Sequence, residues 1–247
     1  IQLGVDTWKS ICVIQNNSLQ DGNSTFAIKT DGTLWSWGPE STNISQFGSD
    51  NWSFVDAGPN YVIGIKSDDT LWAWGYNEYG QLGDGTQEYR SNPTQIGSST
   101  WKAISLPKSW SSMDTIKYGV LTTYGGPHSL GIMMDGTLWS WGSNHEGQLG
   151  NGSSCWQCNF ALTQLYPIQI DTDVWKSIAC GNERSFGVKE NGTLWAWGYN
   201  YSYGGNNIGI LGTEGSPTRN TPGQIGLDNN WDNVIASSTN VYALKNI

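Results

Sequence analysis

Short runs in which bulky apolar residues alternate with small or polar ones return along the chain in a fixed order. The phrase Thr33-Leu34-Trp35-Ser36-Trp37-Gly38 comes back at Thr70 to Gly75, Thr137 to Gly142 and Thr193 to Gly198. With the period of two that a strand imposes, the two tryptophans of each phrase share one face, while Leu and the small Ser or Ala take the other. A second run, a small residue followed by an aliphatic one, precedes each phrase and starts at Phe26, Ile63, Leu130 and Phe186. Asp31-Gly32, Asp135-Gly136 and Asn191-Gly192 separate the two runs. Such dipeptides between β-prone segments are the strongest short-range hairpin signal, because they tolerate the positive φ of a tight turn.

A third type of run opens with tryptophan, at Trp8, Trp52, Trp101, Trp175 and Trp231. After each hairpin come a Gly-bounded crossover (Gly80 to Gly83, Gly147 to Gly150) and a strand-like phrase near Pro93, Pro167 and Pro222. Self-similarity of this kind at tens of residues signals a solenoid or propeller, and about four short strands per unit predict propeller blades. The predicted units are 8–51, 52–100, 101–174 and 175–230, with a partial unit at 231–247, all in one all-β domain. Trp35, Trp37, Trp72, Trp74, Trp139, Trp141, Trp195 and Trp197 are assigned a structural role between four-stranded antiparallel blades. Burying one such ring is worth on the order of 2 to 3 kcal/mol.

The order of these phrases, with Asn77 to Gly83 and Asn144 to Gly150 as crossovers, resembles the bacterial form of the regulator of chromosome condensation repeat. The first and fourth units carry only Gln46-Phe47-Gly48 and Ile210-Leu211-Gly212 at that place. The resemblance covers almost the whole chain and implies a β-propeller, typically of seven blades. Four full repeats with partial blades at both ends are then expected to be an excerpt of a longer propeller. The alternative is a five-bladed ring closed by pairing the two ends. The resemblance further implies a binding surface rather than a catalyst. A guanine-nucleotide exchange factor-like regulator, an enzyme inhibitor and a carbohydrate-binding propeller are the alternative roles. The plant UV-B photoreceptor of this fold sets arginines beside its tryptophans, whereas this chain has only Arg90, Arg184 and Arg219.

Charge narrows the partners. A net charge of −9 leaves no footprint for a phosphate backbone, so nucleic acid is not expected. No apolar run approaches the roughly 18 residues of a spanning helix, so membrane insertion is not expected either. No nucleotide-binding, serine-elbow or zinc-protease motif is readable, and no catalytic residue, metal or cofactor is assigned. His128 heads a strand in a structural position, and His145 is expected in a solvated crossover loop. Cys155 and Cys158 have the spacing of a redox motif or half a zinc site, but the other ligands and the fold context are missing. A small disulfide pinning their loop is the favoured reading. It suggests a secreted or cell-surface setting, with a cytoplasmic one as alternative. Cys12 and Cys180 are read as small core residues.

Insertions on a rigid scaffold are where partners land. Three interrupt the repeat, and their aromatics are the candidate binding residues: Trp110, Tyr118 and Tyr124 between Ile104 and Leu130; Trp156 beyond Gly150; and Tyr199, Tyr201 and Tyr203 before Pro222. Aromatics set among Gly, Ser and Asn make adaptable contact loops. The leading expectation is a non-catalytic protein-interaction or adhesion module, with glycan as a second partner class and self-assembly into a fibre through the open ends as a further alternative. Thiol labelling of the non-reduced protein is expected to count two free thiols, with four free thiols excluding the Cys155–Cys158 bridge.

Overall fold

Each tryptophan-marked unit folds as one antiparallel sheet, because its alternating runs are joined by turns too tight for any other pairing. The computed structural model describes residues 7–14, 25–38, 43–109, 126–154, 163–200, 209, 211–212, 218–237 and 240–246, and the backbone of 113–117 and 120–124. The first sheet is β1 (Trp8–Val13), β2 (Thr25–Lys29), β3 (Thr33–Trp37) and the first half of β4 (Ser45–Gly58). The second half of β4 begins the next, with β5 (Tyr61–Lys66), β6 (Thr70–Gly75) and the first half of β7 (Arg90–Ser105). A separate hairpin of β8 (Met113–Lys117) and β9 (Val120–Tyr124) precedes β10 (His128–Met133), β11 (Leu138–Gly142) and β12 (Gln164–Gln169), which complete the third sheet with the end of β7. The fourth is β13 (Trp175–Gly181), β14 (Arg184–Lys189), β15 (Leu194–Tyr199) and β16 (Thr218–Ile225), and β17 (Trp231–Ala236) pairs with β18 (Val241–Lys245). The described residues hold no helix, and the architecture is that of an antiparallel β-propeller.

Two strands serve two blades each. Asn51 lies opposite Thr33 of the first blade and its neighbour Trp52 opposite Lys66 of the second. Thr100 faces Thr70, and Trp101 faces Met133 of the third blade. Among the described residues β1 is paired only with β2 and β18 only with β17. Tyr242 and Leu244 on β18 are exposed, whereas their counterparts Ile63 and Ile65 on β5 are sealed beneath the following blade.

The core lies between blades. Phe26, Ile28 and Leu34 of the first blade pack on Trp52 and Trp74 of the second. Ile63, Ile65, Leu71 and Ala73 then receive Trp101 and Trp141, and Leu130, Ile132 and Leu138 receive Trp175 and Trp197. The marker ring and the second hairpin ring meet edge to face, with centroids 5.6–5.8 Å apart. That geometry suits the ring quadrupole. The two hairpin tryptophans thus differ in surroundings: Trp74, Trp141 and Trp197 are buried, while Trp35, Trp72, Trp139 and Trp195 are half-buried. Lys29, Lys66 and Lys189 lie 3.4–3.7 Å from the rings of Trp35, Trp72 and Trp195. Met133 stands at that register position in the third blade and packs against the core beside Trp139.

The hairpin turn is fastened by a chain of hydrogen bonds. Asp31 Oδ1 accepts from the amide and hydroxyl of Thr33, whose Oγ1 accepts in turn from Trp35 Nε1 at 2.9 Å. The same relay runs through Asp68, Asp135 and Asn191. Glycine is required elsewhere for a different reason. A Cβ at Gly64, Gly131 or Gly187 would sit 2.4–2.5 Å from a ring carbon of Trp52, Trp101 or Trp175. Gly131→Ala is therefore expected to lower stability by about 1 to 3 kcal/mol, as overpacking does. Ala27 holds this register position in the first blade, so Ala27→Gly is expected to cost about 1 kcal/mol or less. Chemical denaturation of both variants measures the difference.

Candidate functional site

Strand order sorts the connections onto two ends. The Asp-Gly turns and the passages from one blade to the next occupy one end. The turns between the first and second strands of each blade, at 58–61, 105–128 and 181–184, share the other end with the crossovers at 75–90, 142–164 and 199–218. All three insertions singled out by sequence therefore leave from this second end.

The crossovers are built to be rigid. Asn77 Oδ1 accepts from Leu82 N, while its Nδ2 donates to Asp84 Oδ1 and Thr86 O. Asn144 repeats this with Leu149, Asn151 and Ser153. Gln81 and Gln148 turn their side chains back to the amides of Tyr79 and Glu146. Their main-chain carbonyls lock the next blade: Gln81 O accepts from Trp141 Nε1 at 2.8 Å and Ser129 Oγ at 2.9 Å, and Gln148 O from Trp197 Nε1 at 2.9 Å and Ser185 Oγ at 2.7 Å. The first blade lacks this crossover, and Trp74 Nε1 is buried without a partner. Phe47 stacks on the Trp74 ring instead, at 5.5 Å.

Asp56 anchors the root of the longest insertion. Its Oδ2 accepts from Leu106 N at 3.0 Å, and Lys108 donates to its Oδ1. Past that root the chain forms the β8–β9 hairpin where sequence suggested an aromatic loop. Tyr124 is the last residue of β9, and its side chain, with Trp110 and Tyr118, lies outside the described residues. So do Cys155, Trp156, Cys158, Tyr201 and Tyr203. Tyr199 ends β15, half-buried; Arg184 Nε donates to its carbonyl at 3.0 Å and the guanidinium lies 5.7 Å from its ring. Between the second and third blades, Pro59, Asn60, Tyr76, Glu78, Tyr79, Gln81 and Pro127 line a shallow depression. Tyr76 is exposed beside it and meets Tyr89 edge to face at 5.5 Å.

Ionisable groups give this end its character. His145, expected in solvent, is buried, with Nδ1 bonded to Ser143 Oγ at 3.0 Å because the crossover folds back on itself. His128 Nε2 lies 2.8 Å from Ser185 Oγ, a spacing that suits a nucleophile and its base. Nevertheless, the pair is sealed from substrate. Burial pushes the His128 imidazole down to about 3, and its Nδ1 has no orienting partner. Burial also raises the Cys12 thiol to about 12 and the Cys180 thiol further, so neither is a nucleophile. Among the described residues no three His, Cys, Asp or Glu side chains gather as for a metal.

Two residues that sequence reasoning passed over stand out, Glu146 and Glu183. Glu146 is 6% exposed, and its Oε2 accepts no hydrogen bond. Burial, then the Glu183 charge, raises its carboxyl to about 8; burial raises Glu183 to about 7 against the pull of Arg184. Glu183 holds φ +55°, as Asn60 at the same place in the second blade holds +63°. Asparagine tolerates this left-handed region, and glutamate there is strained.

The model of the regulator of chromosome condensation (RCC1) repeat matches residues 68–106 and 135–188, and a second model of that description matches 52–81 and 175–204. The ultraviolet-B receptor UVR8 of Arabidopsis thaliana is 27% identical over 218 residues, 80% of this chain and 43% of its own length. The X-linked retinitis pigmentosa GTPase regulator of Canis lupus familiaris is 27% identical over 208 residues, 84% of this chain and 16% of its own length. The crystal structure of Prp20p from Saccharomyces cerevisiae, described with its binding to Gsp1p and histones, superposes with a TM-score of 0.71 at 16% identity. The match covers 97% of this chain and 56% of Prp20p. The chain thus spans less than two thirds of each of these proteins.

Stability should respond to pH from both sides. Glu146 and Glu183 titrate above their ordinary value of 4.5, so the folded state holds protons that the unfolded chain releases, and stability falls as pH rises from about 4.5 through about 8. His128 titrates below its ordinary 6.5, so stability falls as pH drops from about 6.5 toward 3. Thermal unfolding of Glu146→Gln is expected to match the wild type near pH 4 and to exceed it near pH 9. Equal melting temperatures near pH 9 would refute the burial cost assigned to this carboxyl.

Proposed function

This chain belongs to the regulator of chromosome condensation repeat family, and from that premise we propose that it is a non-catalytic protein-interaction module of the exchange-factor-like regulatory kind. The observation that carries this reading is the segregation of connections. One end of the propeller is closed by short fastened turns. The other presents every long insertion, the β8–β9 hairpin and the depression around Tyr76. A rigid frame with variable loops on one end is the arrangement in which loops carry recognition. The protein whose name includes GTPase regulator matches 84% of this chain, which favours a small GTPase as partner over a glycan or a second copy.

The absence of chemistry in the reading rests on His128 and Ser185 being buried and on the raised thiols of Cys12 and Cys180. An intracellular setting is part of the proposal. The secreted or cell-surface expectation drew on acidity, low lysine content and a Cys155–Cys158 bridge, and both of those cysteines lie outside the described residues. Photoreception is not proposed: the described cations over the tryptophan rings are lysines, and Arg184 faces Tyr199.

The test is site-specific photocrosslinking in the native host. A benzophenone side chain at Tyr76, on the insertion end, is expected to yield discrete protein adducts, and one at Asp68, on the opposite end, none. Adducts from Asp68 alone would overturn the assignment of the binding end. Purified adduct partners that bind guanine nucleotide are then assayed for release of fluorescent GDP. Unchanged release would remove the exchange reading and leave the interaction reading in place.

A further inference from the structure

We propose that Glu146 and Glu183 form a socket for an arginine side chain of the partner protein, at the joint between the third and fourth blades. The inference rests on the insertion end being the partner surface. Register places the two residues together. Tyr79 holds the crossover position of Glu146 one blade earlier, and there it lines a depression with Pro127, which holds the position of Glu183. A Cβ at the adjoining Gly126 would lie 2.6 Å from the Tyr79 ring, so this crossover side chain leans on the turn of the following blade. One blade on, the same register sets Glu146 against the turn that carries Glu183, near enough for the Glu183 charge to add to burial in raising the Glu146 carboxyl.

What marks a site rather than an acidic surface is the state of Glu146. The residue is more than nine-tenths buried, its Oε2 has no hydrogen-bond partner, and no cation faces it within the described residues. Leaving a buried carboxylate unpaired is costly, and buried charges are ordinarily paired. The nearby polar groups are engaged elsewhere: the Arg184 guanidinium with Tyr199, and His145 Nδ1 with Ser143 Oγ. Gln148 Oε1 accepts from the Glu146 amide and leaves the carboxylate alone.

The ligand class follows from the donor set. Two carboxylates fall short of the six to eight oxygens that calcium takes. They do suit a guanidinium, which is planar, permanently charged and able to bridge two carboxylates through its fork of N–H donors. The chain's net charge of −9 favours the approach of a basic segment. Because both carboxyls hold protons near neutrality, seating the guanidinium must expel them, a signature that loose attraction to surface acids would not give.

The probe is a hexa-arginine peptide, with hexa-glutamine as control, titrated calorimetrically near pH 7 in two buffers of different ionisation enthalpy. Wild-type protein is expected to bind hexa-arginine with release of about one proton. The double variant Glu146→Gln/Glu183→Gln is expected to lose about tenfold or more in affinity, roughly 1.4 kcal/mol, and to release none. It should remain folded and melt higher than wild type at alkaline pH, since it removes a buried repulsion. Asp50→Asn/Glu190→Gln, two exposed acids on the opposite end, should stay within about twofold. Binding without proton release, equal losses in the two double variants, or no binding to wild type would each overturn the socket. Proton release together with partner crosslinks from Asp68 alone would overturn the partner-face reading and leave the socket standing. Crosslinks from Tyr76 without proton release would overturn the socket alone.

Discussion

An indole ring lying on bare backbone sets the spacing of this molecule. Trp52, Trp101 and Trp175 each cover a glycine of their own blade and present an edge to Trp74, Trp141 and Trp197, and the pair fills the aliphatic face of the preceding blade. Remove the glycine and the ring must lift; once it lifts, the next blade loses its seat. The hydrogen bonds from Trp141 and Trp197 to the Gln81 and Gln148 carbonyls depend on the same seating. So do the fixed positions of the crossovers and of whatever those crossovers display.

Much of this was legible in the chain. The period-two alternation of Thr-Leu-Trp-Ser-Trp-Gly and the Asp-Gly turns specify hairpins locally, with no help from distant residues. Four repetitions then specify that every hairpin has the same neighbours. The part played by Thr33, Thr70, Thr137 and Thr193 was not read, although the motif contained it: a hydroxyl two residues after Asp or Asn accepts from an indole two residues further on.

The candidate site was less legible, for a physical reason. Glu146 and Glu183 are 37 positions apart and belong to different blades. Their proximity follows from the docking of one blade on the next, which no local pattern encodes. His145 was misjudged for a related reason, since a crossover that bonds to itself buries what its polar sequence would expose. The one readable hint was positional. In the slot between the first two strands of a blade, where Asn60 adopts a left-handed backbone, the fourth blade carries a glutamate.

The sharing of β4 and β7 between blades has a bearing on how the molecule comes apart. A single hydrogen-bonded ladder of ten strands runs from β1 to β12, while the fourth blade begins a ladder of its own after Ile170 to Val174. Strand-to-strand hydrogen bonding is thus continuous across the first three blades and interrupted before the fourth. The seam before Trp175 is crossed by the main-chain bond from Trp175 N to Gly136 O and by side chains: Lys189 paired with Asp171 and Asp173, and the Trp175 indole on Asp171. That seam runs between the blade bearing Glu146 and the blade bearing Glu183. The joint between the blades of the two acids is therefore also where the strand ladder is interrupted.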